Sequence, residues 1–204
     1  MRGQVCDHHQ PPPAATLPVA DRRGSARAST VLLIGKIHDG RSTTACLVLN
    51  LSDVGLMARL SFGATVGQRV AVEMRGMPLA TATIRWVNGS KAGMEFDYRQ
   101  NLNPVFCLLS DDGVVARPPR FDVSLEAVLR IAGRGIKVHV VNISPGGVRL
   151  SAEAAVERGQ TGQIVVTGRD LCMYGSVRWV ENGEFGFHFS TPLPLGILRE
   201  CLED

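Results

Sequence analysis

"IRWVNGSKAGMEF", residues 84–96, recurs without a gap as "VRWVENGEFGFHF", residues 177–189. Trp86 pairs with Trp179, Gly93 with Gly186, and Phe96 with Phe189. A match of this kind at domain-sized spacing indicates a duplicated unit of fold. In each copy an Asn-Gly dipeptide, at 88–89 and 182–183, follows the Trp run, and Asn-Gly suits the positive φ angles of a tight hairpin turn. Each copy therefore reads as a Trp strand, a hairpin and a Phe strand. Both tryptophans stand in alternating apolar runs and are read as core packing.

The segments before these strands carry the same texture. "TACLVLNL", "GLMARL", "QRVAVEM" and "LATATIRWV" are short β-rich runs broken by Gly-containing turns, and "AVLRIAGRGIKVHVVNI", "GGVRLSA", "GQIVVTG" and "LCMYGSVRWV" repeat the series. A chain of 204 residues accommodates two small domains, and few aromatics with 22 glycines point to a Val/Leu/Ile/Ala core with many turns. Short strands with Gly-rich turns imply a small barrel or sandwich in each half. Residues 1–20, rich in proline and small residues, read as a disordered tail. The Pro-Pro pair at 118–119 follows a junction with one short helix around 101–109, which places domain 1 at 21–112 and domain 2 at 113–204. Leu195, Leu198 and Leu202 stand at helical spacing, so a short terminal helix is expected to cover a barrel mouth or a neighbouring face.

A second repeat carries the chemistry. "NLSDVG" at 50–55 has a near copy, "NISPGG", at 142–147, and both keep an Asn, a Ser two places on and a Gly three places after that. Upstream of the first lies "DRRGSAR", residues 21–27, in which Arg23 and Arg27 enclose three residues. A guanidinium fork fits O6 and N7 of guanine, or two phosphate oxygens, and its flat face stacks on a base. An Asn supplies donor and acceptor together, a Ser hydroxyl adds one more of each, and a Gly permits close backbone approach or a positive φ. The basic residues are also unevenly spread: residues 1–100 hold 12 basic and 7 acidic side chains, and residues 101–204 hold 10 and 12.

Taken together, Arg23, Arg27, Asn50, Ser52 and Gly55 resemble the PilZ family, whose signature is R-x-x-x-R in a mobile lead-in followed by [D/N]-x-S-x-x-G on a β-barrel. The likeness implies an all-β chain of two tandem six-stranded antiparallel PilZ-like β-barrels with short accessory helices, one of them at the C-terminus. It further implies a receptor for cyclic di-GMP, with Arg23 and Arg27 clamping guanine and phosphate and Asn50 and Ser52 bonding a base. In the family, an Arg just before the pair, here Arg22, accompanies two intercalated ligand molecules. In the second copy Asn142, Ser144 and Gly147 are present, but Arg117 and Arg120 are only three apart and Ala116 stands four before Arg120. With two prolines stiffening that segment, weak or absent nucleotide binding is expected, and the copy is assigned to domain packing, dimer formation or partner contact.

Other chemistries lack their residues. Five cysteines show no C-x-x-C pair, "CDHH" at 6–9 is taken as incidental, and reduced thiols point to a cytoplasmic chain. No run approaches the roughly 20 apolar residues of a membrane helix, and the start lacks a secretion-signal core. "GRGIKV" at 133–138 misses the last glycine of a dinucleotide loop, His38 and Asp39 fall on a turn, and His139 and His188 lie within strand patterns. Neither a catalytic nor a metal site is expected, and no cofactor. Two rival readings stay open: an adaptor whose barrels dock a protein without nucleotide, and a single-strand nucleic-acid barrel, for which the exposed aromatics are few.

Overall fold

The computed structural model describes residues 28–107, 116–169 and 171–203. The expected tail, the boundary at 112–113 and Arg22, Arg23 and Arg27 lie outside the described residues. Ten residues, Ser29–His38, form β1, and β2 (Thr43–Ser52), β3 (Gly55–Arg59), β4 (Arg69–Met74), β5 (Met77–Asn88) and β6 (Lys91–Phe96) follow. These six strands close into an antiparallel barrel in the order β1-β2-β3-β6-β5-β4, with β1 pairing to β4 across the seam. The second half repeats the design with β7 (Phe121–Ile131), β8 (Arg134–Ser144), β9 (Gly147–Ser151), β10 (Thr161–Val166), β11 (Cys172–Glu181) and β12 (Glu184–Phe189). Its order is β7-β8-β9-β12-β11-β10, again closed. Full closure removes the unpaired strand edges that a small open sheet would expose. The expected pair of six-stranded barrels is thus the observed fold.

Alternation along the strands fills both interiors. Ile37, Val48, Leu51, Val72 and Ile84 are fully buried in the first barrel, and Leu129, Val140, Ile143, Leu150 and Ile164 in the second. The second core also takes Phe121, Phe185, Phe187 and Phe189, whereas Phe96 is the buried phenylalanine of the first. The junction helix, α1, is a single turn, Asn103–Phe106, shorter than the sequence suggests: Pro104 can occupy only a first turn, so the helix does not begin at 101, and Cys107 is already extended. The hairpin after β6's partner strand is also shifted in one copy. In the second barrel Asn182 and Gly183 both take positive φ, as a type I′ turn requires, but in the first the loop is Gly89–Ser90 and Asn88 still pairs with Lys91 in the ladder.

The C-terminal helix, α2 (Leu195–Glu200), ties the barrels together. Leu198 is fully buried, and Leu195 and Leu202 pack on the second core, although Leu202 lies past the helix end. Ala45 of β2 belongs to that same core, with Ile34 of β1 packed against it. Across the contact Arg199 donates from Nε to the Ala45 carbonyl at 3.1 Å and from Nη2 to the Arg59 carbonyl at 3.3 Å. Lys36 Nζ donates to the Arg120 carbonyl at 2.8 Å and stands 5.7 Å from the centre of the Phe121 ring. Replacing Leu198 by Ala should therefore cost about 3 kcal/mol through lost burial and the cavity left behind. Urea unfolding should show it as a lower midpoint, while Leu32→Ala, at a site 75% exposed, should shift the midpoint little.

Candidate ligand-binding site

The site grows from two bulges in each barrel. On β2 the register passes from Val48 opposite Ala58 to Asn50 opposite Met57, so Leu49 is an extra residue, and Asn50 turns outward between buried Val48 and Leu51. On β5 it passes from Ile84 opposite Met94 to Trp86 opposite Gly93, with Arg85 extra. The second barrel has the same two breaks, which deliver Asn142 and Trp179. Alternation from buried Ala82 and Ile84 would send Trp86 inward; the bulge sends it out, where it is 43% exposed. The core reading therefore fails for Trp86, because a period of two cannot register an inserted residue, and Trp179 is half-buried at the rim of the second cavity.

Each tryptophan rests on a glycine of the adjacent strand. A Cβ on Gly93 would overlap Nε1 and Cε2 of Trp86, and one on Gly186 would overlap the same atoms of Trp179. The Asn-x-Ser-x-x-Gly segment borders the ring. Ser52 Oγ donates to the Gly55 carbonyl at 3.1 Å, and Ser144 Oγ donates to the Gly147 carbonyl at 3.1 Å. The hydroxyl proton thus closes the turn between β2 and β3, and the oxygen keeps its lone pairs as acceptors. Of the two uses available to the glycine, the structure selects close approach: neither Gly55 nor Gly147 has a positive φ, but a Cβ would strike the carbonyl oxygen of Met94 or of Phe187.

Around these residues lie two equivalent cavities. The first, about 370 Å³, is lined by Ala28, Asn50, Ser52, Gly55, Trp86 and Glu95 among others. The second, about 390 Å³, is lined by Arg117, Arg120, Ser144, Arg178, Trp179 and His188 among others. The sequence reading missed Arg85, Glu95, Arg178 and His188. Their signal was present in the gapless repeat, where they flank the Trp and the Phe, but their facing was not.

The two cavities differ in how their polar groups are engaged. In the second, Arg120 Nη1 donates to Asn142 Oδ1 at 3.1 Å, and Asn142 is only 9% exposed. Burial, and then the like charges of Arg117 and Arg149, lower the pKa of Arg120 from its ordinary value. Arg149 pairs with Glu184 and stands 6.0 Å from the centre of the Trp179 ring, so one face of that ring is already occupied by a cation. In the first, among the described residues, no side chain bonds the half-buried carboxamide of Asn50, and Arg85 Nε donates to Glu95 Oε2 at 2.6 Å. Strand register makes Ala28 the counterpart of Arg120, since Ser29 faces Leu51 as Phe121 faces Ile143. Arg27 thus sits one place further from its strand than Arg120 does.

Residues outside the cavities have structural partners. Asp39 Oδ1 accepts from the Arg41 and Ser42 amides at 2.8 and 2.7 Å and closes the β1–β2 loop, while Thr43 and His38 Nδ1 are 2.7 Å apart. His139 lies on the outer face of β8 with Nδ1 3.2 Å from Glu126. Burial pushes the Cys46 thiol up to about 12. Among the described residues no group of three or more His, Cys, Asp or Glu could hold a metal, and no helix is long and apolar enough to cross a membrane.

The described chain is thus two small closed barrels, each with a polar turn and a tryptophan beside a surface cavity. The family model described as PilZ domain matches residues 116–204, and this part of the chain, the second barrel with α2, is a PilZ domain. No curated protein matches the chain. Among solved structures, Borreliella burgdorferi PlzA in complex with c-di-GMP is similar at 10% identity, covering 89% of this chain and 95% of that one, with a TM-score of 0.42. The Bacillus subtilis inhibitor of motility MotI/DgrA has 12% identity, coverage of 83% and 91%, and a TM-score of 0.33. Escherichia coli YcgR in complex with c-di-GMP has 12% identity, coverage of 83% and 80%, and a TM-score of 0.32.

The glycine seat of the tryptophan has a direct test. In a Trp179→Phe background, Gly93→Ala should lift the Trp86 ring from β6. Its fluorescence should then shift to the red and become more open to acrylamide quenching, whereas Gly63→Ala, where a Cβ meets nothing, should change neither.

Proposed function

We propose that the chain is a cytoplasmic receptor for cyclic di-GMP and that the first barrel, within a domain spanning 21–112, takes the ligand. One observation carries the reading: the cavity bordered by Asn50, Ser52 and Trp86 opens where the chain enters the barrel, since Ala28, the residue after Arg27, lines it. A PilZ domain in the same chain supports it, because PilZ domains are cyclic di-GMP receptors. In this reading Arg23 and Arg27 clamp guanine and phosphate, Asn50 and the Ser52 lone pairs meet polar edges of the ligand, and Gly55 keeps the turn close to β6. Trp86 offers its open face to a base, and Arg22 stacks on a second, intercalated molecule. Closure of the arginine-bearing segment over the barrel is the signal.

The second barrel, within 113–204, takes a different part. Its Asn142 is already bonded to Arg120 and its Trp179 already faces Arg149, so a nucleotide would have to displace both contacts. Packing against the first barrel and contact with a partner or a second copy fit it better.

Calorimetry on the whole chain tests this. Cyclic di-GMP should bind, and Arg23→Ala and Arg27→Ala should each weaken it by about thirtyfold, corresponding to about 2 kcal/mol of charge-assisted bonding. Asn142→Ala should leave the affinity unchanged. Absence of binding by the intact chain would favour a nucleotide-free adaptor, and oligonucleotide binding with a steep salt dependence would favour the nucleic-acid reading.

A further inference from the structure

We propose that Glu95 reads the guanine edge in the first cavity, making this site accept guanine-bearing cyclic dinucleotides and refuse adenine-bearing ones. The inference rests on the cyclic di-GMP reading of the first barrel and names a residue outside the family signature. Glu95 lies two residues from Gly93 on β6, so both present to the same outer face, and it is paired in register with Gly55. It therefore stands between the glycine of the polar turn and the glycine that seats Trp86, and it lines the cavity with both. A base on the open face of Trp86 has its edge beside this carboxylate.

The chemistry selects guanine. The Watson–Crick edge of guanine presents two adjacent donors, N1–H and the 2-amino group, whereas adenine presents an acceptor at N1 beside a single amino donor. A carboxylate accepts at both oxygens, so it meets guanine twice and turns lone pairs against N1 of adenine. Among the described residues only Oε2 of Glu95 is engaged, by Arg85 Nε at 2.6 Å, and that bond fixes the orientation while Oε1 stays free. In the second cavity His188 holds the equivalent position, opposite Gly147. An imidazole has no pair of acceptors, so the reader belongs to the first cavity alone.

Equilibrium binding of cyclic di-GMP, cyclic di-AMP and cyclic di-IMP, which lacks the 2-amino group, to the whole chain tests the proposal in the wild type, Glu95→Gln and Arg85→Ala. The wild type should prefer cyclic di-GMP to cyclic di-IMP by about tenfold, the scale of a bidentate base contact. Glu95→Gln should lose about tenfold for cyclic di-GMP and close the gap to cyclic di-IMP, while Arg85→Ala, which removes the bond that orients the carboxylate but keeps both its oxygens, should narrow the gap only in part. Unchanged affinity and preference in Glu95→Gln, or equal closure of the gap by Arg85→Ala, would overturn the role of Glu95 and leave the site itself standing. No binding of any dinucleotide by the wild type would instead remove the receptor reading.

Discussion

A bulge is the constraint on which both cavities depend. A closed barrel of six strands must place apolar residues inside by strict alternation, and on such strands Asn50 and Trp86 could not both face outward beside buried neighbours. One inserted residue on β2 and one on β5 break the alternation locally, and the same two breaks recur on β8 and β11. Their cost is a lost ladder bond at each position, which barrels tolerate at their rims. Glycine completes the device: the outward tryptophan needs a neighbour without a side chain, and Gly93 and Gly186 supply it.

Once both barrels are built this way, their differences reside in a few side chains. At one position Glu95 stands opposite Gly55, and His188 stands opposite Gly147; at another, Ala28 corresponds to Arg120. Among the described residues no side chain bonds the carboxamide of the first cavity, and its arginine pairs with a carboxylate. The second gathers Arg117, Arg120 and Arg178 and bonds its own carboxamide. The two copies thus share the scaffold, bulges and seating glycines included, and differ in the polar groups on it.

How much of this could be read beforehand follows from the range of each signal. The barrels were legible because alternation and Gly-rich turns are local, and because a gapless repeat at 84–96 and 177–189 ties two such patterns to one fold. The turn motif was legible too, since Ser52 and Gly55 act within three residues of each other. The facing of Trp86 was hidden, because a bulge is defined by the partner strand and leaves no mark in the run "ATIRWV". The partnership of Arg85 with Glu95 was hidden for the same reason, being set by β5–β6 register. The role of α2 was half visible: its leucine spacing announced a buried stripe, but nothing local to Arg199 indicated that it would bond carbonyls of β2 and β3, some 140 residues or more away.

The second barrel, which the family model matches, differs from the first in its core as well as in its cavity. It carries the larger aromatic core, with Phe121, Phe185, Phe187 and Phe189 all buried. The outward polar groups of the cavities contribute little to that core. The second barrel also shares its packing with its neighbour, since Ala45 lies in its core and Lys36 holds the Arg120 carbonyl. Arg120 consequently has two attachments: its side chain grips Asn142 at the cavity, and its backbone is fastened to the first barrel. A residue held at both ends suits a fixed joint between barrels better than a clamp that must open and close.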